Sequence, residues 1–103
     1  MELNLVWETL EQTALAMENG QGKWSALVAT AEESIKLLFD FTPTEILEKA
    51  EQSHYPTKPL IKWLLYEGQK ISGIREDKLQ GLCNCWNDFM GAESGNISFP
   101  VIS

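Results

Sequence analysis

Apolar residues recur at three- and four-residue spacing along almost the whole chain, and a few glycines and prolines cut the pattern into five stretches. Residues at i, i+3, i+4 and i+7 share one face of an α-helix, whereas a half-buried strand alternates every second residue. The spacing predicts an all-α fold, a compact bundle of four to five helices with a short extended C-terminal tail.

The first stretch covers 2–19, with Leu3, Val6, Trp7, Leu10, Ala14 and Met17 on one side. Gly20-Gln21-Gly22 then supplies a turn, and the second stretch, 23–40, carries Trp24, Leu27, Val28, Ala31, Ile35, Leu38 and Phe39. Two long amphipathic stretches joined by a short glycine turn read as an antiparallel helical hairpin. Thr42-Pro43-Thr44-Glu45 is a capping box with proline at the first helical position, and Phe41 and Ile46 are spaced for a hydrophobic staple. Ile46, Leu47, Ala50 and His54 would form the inner face of this third helix, which must stop before Pro56. The fourth, 58–71, is apolar on two sides: Leu60, Ile61, Leu64, Leu65 and Ile71 on one, Pro59, Trp63 and Tyr66 on the other. The fifth, 74–90, turns Leu79, Leu82, Cys83, Trp86, Phe89 and Met90 inward, and Gly91 reads as its stop. Residues 1–91 would be a single helical domain and 92–103 an extended tail, packed back through Ile97, Phe99 and Val101. Leu10, Leu27, Ala31, Ile35, Leu38, Ile46, Leu64, Leu82 and Trp86 are the expected core.

Charge narrows the function classes. Fifteen acidic residues against eight basic give a net charge of −7, which argues against a general nucleic-acid binder or an anionic-membrane binder. No apolar run approaches the ~20 residues that span a bilayer. The first residues lack the basic start and apolar run of a secretory signal. Cys83 and Cys85, about 200° apart on a helix, cannot pair with each other, and reduced thiols in a cytoplasmic setting are the simplest reading.

No catalytic constellation stands out. His54 is the single histidine and has no Ser, Cys or Asp at a diagnostic spacing. Three Cys and His residues in total are too few for a structural zinc site, no glycine-rich phosphate loop precedes a helix, and no cofactor is implied. A rival reading remains, a small enzyme or ligand-binding subunit using His54, Tyr55 or Cys85 in an interhelical pocket. A second rival reads residues 58–90 as a helix-turn-helix, because 57–80 is the only net-positive stretch. Glu76 and Asp77 would then sit where phosphates must approach.

Two surfaces carry more information. On the first helix Glu8, Glu11 and Glu18 share a flank bordered by Trp7, with no basic residue in 1–20. On the fourth, Pro59, Lys62, Trp63, Tyr66 and Lys70 share the side opposite the leucine stripe, and aromatics with long basic stems suit an interface. Four tryptophans exceed what a small core needs. The expectation is a small acidic non-enzymatic protein that docks to another protein as adaptor, inhibitor or small subunit, a basic partner being its natural complement.

Overall fold

In the computed structural model, which describes residues 2–98, every regular element is a helix. These are α1 (Leu3–Glu18), α2 (Trp24–Leu38), α3 (Pro43–Gln52), α4 (Thr57–Lys70), α5 (Glu76–Phe89) and the single turn α6 (Gly91–Ser94). About three quarters of the described residues are helical, and none is in a strand.

Local chemistry sets the boundaries. α1 ends in a Schellman arrangement: Gln21 N–H reaches the Ala16 carbonyl and Gly20 N–H that of Met17, with Gly20 at φ +67°. α3 starts where the sequence places it. Thr42 Oγ1 accepts from the Glu45 amide at 3.3 Å and donates to the Glu45 carboxylate at 2.9 Å. Glu76 and Asp77 occupy the first turn of α5, and Lys36, Lys49 and Lys70 the last turns of α2, α3 and α4. Each charge complements its helix dipole.

α1 and α2 form the hairpin, α2 lies on α4, and α3, α4 and α5 pack mutually. The radius of gyration, 13.1 Å, matches the ~13 Å of a compact chain this long. One apolar cluster runs through all five long helices, with Leu38, Ile61, Leu64, Leu65 and Leu82 fully enclosed. Eight of the nine expected core residues are buried; Leu27 is half-exposed.

The departures are local. The chain does not extend straight from Ala92: Gly91 opens α6 instead of ending the helical region. Residues 95–97 then latch onto α5. Trp86 Nε1 donates to the Gly95 carbonyl at 3.0 Å. The Asn87 amide exchanges two bonds with the Ile97 backbone, at 2.7 and 3.0 Å. Cys83 Sγ adds a third contact to the Ile97 carbonyl at 3.3 Å. Ile97 is buried as expected, while Phe99 and Val101 lie outside the described residues. Trp24 is 62% exposed and Phe89 75% exposed, although both lie on or beside the apolar stripes of their helices. Trp24 opens α2 beside the hairpin turn, and Phe89 is the last residue of α5. His54 does not continue the inner face of α3. The helix stops at Gln52, Ser53 is extended, and the His54 side chain is 82% exposed.

Candidate apolar groove between α1 and α4

α4 is two-faced because two sets of neighbours use it. Its leucine face enters the core. Pro59, Leu60 and Trp63, together with Tyr55 and Pro56 just before the helix, form one wall of a groove of about 250 Å³. Ala14, Met17 and Glu18 of α1 form the other wall. The lining is almost wholly apolar, and Glu18 brings the single carboxylate. Trp63 packs against the core while also lining this groove.

One residue of the groove wall carries an unsatisfied polar atom, enclosed behind the lining. Tyr55 Oη is buried without a hydrogen-bond partner. Burial pushes the Tyr55 hydroxyl above its ordinary range, and the charges of Glu18 and Glu11 push it further. It therefore stays protonated and keeps a proton to donate.

Next to the groove, α1 is braced to the α3–α4 junction. Glu11 Oε2 lies 3.8 Å from His54 Nδ1. Burial raises the Glu11 carboxyl, but the Ser53 hydroxyl, the Trp7 indole, the His54 backbone amide and the His54 charge outweigh it and hold the group below the usual carboxylate range. Trp7 Nε1 makes no hydrogen bond of ordinary geometry; its N–H dipole still lies near enough to favour the carboxylate.

The structure redistributes the residues marked in the sequence. Trp7 is 5% exposed and packs in the core cluster, with an edge in the wall of a small polar notch shared with Glu8 and Glu11. The acidic flank of α1 is divided: Glu8 and Glu11 line this notch with Asn4 and Lys49, Glu11 also serves the brace, and Glu18 edges the groove. On α4, Pro59 and Trp63 line the groove, Lys62 is exposed, and Tyr66 is exposed beneath Lys70, whose ammonium sits 4.0 Å from the ring centre and 3.6 Å from Glu67. His54 lies outside this groove, with Glu11 as its ion-pair partner. Of the basic residues in the helix-turn-helix reading, Lys70 pairs with Glu67, Arg75 with Asp77 at 2.8 Å, and Lys78 with the Phe39 carbonyl at 2.9 Å.

No family model, curated protein or solved structure matches the chain. Among the described residues no group of three His, Cys, Asp or Glu side chains is placed to hold a metal ion, and no helix is long and apolar enough to cross a membrane.

The opposite wall of the groove, Ala14 and Met17, escaped the sequence reading as a site because both residues sit on the α1 stripe and read as core. That α1 and the start of α4 face each other across one groove depends on segments distant in sequence. Its one local signal is the apolar second side of α4.

Proposed function

We propose that this is a non-enzymatic docking protein that grips a segment of another protein between α1 and α4. The observation that carries the reading is the almost wholly apolar groove between the two helices, with Trp63 and Met17 in its walls and Glu18 at its edge. A partner supplies an apolar side chain between Met17, Leu60 and Trp63. A neighbouring lysine or arginine meets Glu18. Tyr66 and Lys62, exposed on the same helix but outside the groove lining, serve as its polar border in this reading. Recognition of this kind rests on a desolvated aromatic anchor inside a polar border.

Panning a random peptide library against the full chain tests this. The expected hits pair an aliphatic or aromatic residue with an adjacent Lys or Arg. Their affinity should fall by ~2 kcal/mol or more with Trp63→Ala, and measurably with Met17→Glu, with both variants still helical by circular dichroism. Hits that bind Trp63→Ala and Met17→Glu as well as the unaltered chain would sink the proposal.

A further inference from the structure

α5 ends on a phenylalanine that folding leaves in water. Phe89 stands at the mouth of a cleft of about 320 Å³ between α3 and the α5–α6 corner. Leu47 and Met90 supply its apolar lining, and the half-buried Cys85 lies in its wall. Glu48, Glu51 and Glu93 are the charged residues of the lining, all three exposed, and no Lys, Arg or His is among them. A single exposed aromatic is ordinary on a protein surface. An aromatic beside an apolar cleft whose rim carries one sign of charge is an anchor with a built-in preference.

We propose that this cleft is a second docking site, distinct from the α1–α4 groove, and that its occupant is a basic amphipathic helix of a partner protein. Such a helix lays its apolar face along Phe89 and Met90, over the buried Leu47, and sets lysines or arginines against the three glutamates, the helix-in-groove mode of recognition. Charge complementarity chooses among occupants. A second copy of this chain docking through the same face would set the same carboxylates against each other, at a cost. An anionic bilayer is repelled for the same reason. The three glutamates are not gathered closely enough to hold a metal ion.

The test uses the full chain and a labelled synthetic Leu/Lys amphipathic helix, followed by fluorescence anisotropy. Binding is expected, weakening with added salt and absent for the matching Leu/Glu peptide. Phe89→Ser should reduce affinity about thirty-fold without loss of helicity, since the side chain is already exposed. The triple variant Glu48→Gln, Glu51→Gln, Glu93→Gln should weaken binding and flatten its salt dependence. Saturating peptide should slow maleimide alkylation of Cys85. Trp63→Ala should leave this binding intact, so the fate of the α1–α4 groove is decided separately. The proposal is overturned by no binding, by equal binding of the Leu/Glu peptide or by binding indifferent to Phe89→Ser. Loss of binding in Trp63→Ala, or Cys85 alkylation unchanged by peptide, would overturn it too.

Discussion

Gly68→Ala sets two energies of similar size against each other. Gly68 is buried in α4, and alanine in a helix interior is favoured over glycine by about 1 kcal/mol. The added methyl, however, would lie 2.6 Å from Leu79 Cδ2 and 3.3 Å from Phe39 Cε2. Carbon contacts settle near 3.5–4.0 Å, so one or both side chains must move by about an ångström. Both are enclosed in the core cluster, and overpacking of this kind costs roughly 1–3 kcal/mol. The expected net is a loss of about 1 kcal/mol, read in urea unfolding as a lower midpoint with unchanged slope. For a domain of this size it corresponds to a melting point about 4–8 °C lower. A double-mutant cycle sharpens the test. Leu79→Ala alone should cost about 2–5 kcal/mol, and adding Gly68→Ala to it should recover part of that loss because the new methyl enters the vacated space. A stabilised Gly68→Ala, or strict additivity with Leu79→Ala, would refute the close approach of α4 to α5 on which the reasoning rests.

Three further outcomes follow from the same contacts. Ending the chain after Gly91 removes buried Ile97 and leaves Trp86 Nε1 and the Asn87 amide without the tail. It should cost ~3 kcal/mol or more in urea unfolding, and a shortened chain as stable as the full one would refute the latch. Gly20→Ala should cost about 1 kcal/mol for its left-handed backbone and Gly20→Asn less; equal melting points for all three would show that the turn relaxes. Because folding holds the Glu11 carboxyl below its ordinary value, its contribution is complete above the unfolded-state range and is lost as pH falls through the folded value. Glu11→Gln should therefore flatten the acid side of the stability profile, and an unchanged profile would show that the brace contributes nothing.

Helical periodicity and caps made the long helices legible. Thr42 and Glu45 mark a start that the backbone honours, and the stripes through Leu10, Ile35, Leu64 and Leu82 all point inward. The failures share one physical cause. A helical wheel fixes the direction of a side chain, but burial also needs an element opposite it. Trp24 lies on the stripe with Ala31 and Ile35 and is still exposed, because it opens its helix beside the hairpin turn; Phe89 closes α5 in a comparable terminal position. His54 departs for a different reason: its place in the apolar period lies beyond a helix end that the approach to Pro56 imposes. Of the α1–α4 groove, Pro59 and Trp63 were legible as a second apolar side. Met17 and Ala14 were not, since whether a stripe residue lines a groove or fills a core depends on how closely two distant segments approach.

The latch also makes Cys83 a clock. Its sulfur sits under the Ile97 carbonyl and beside Asn87, and burial raises its thiol above the ordinary range while the Asn87 contact opposes that rise. A thiol reagent is expected to reach it when Ile97 leaves its seat. When reclosing is fast, the labelling rate relative to that of the unfolded chain is the equilibrium constant for opening. Cys85, two residues away and turned toward Thr44 on α3, reports on another part of the molecule under the same reagent. One alkylation time course resolved by peptide mass would therefore separate breathing of the tail from occupancy of the neighbouring cleft, with no label added to the chain.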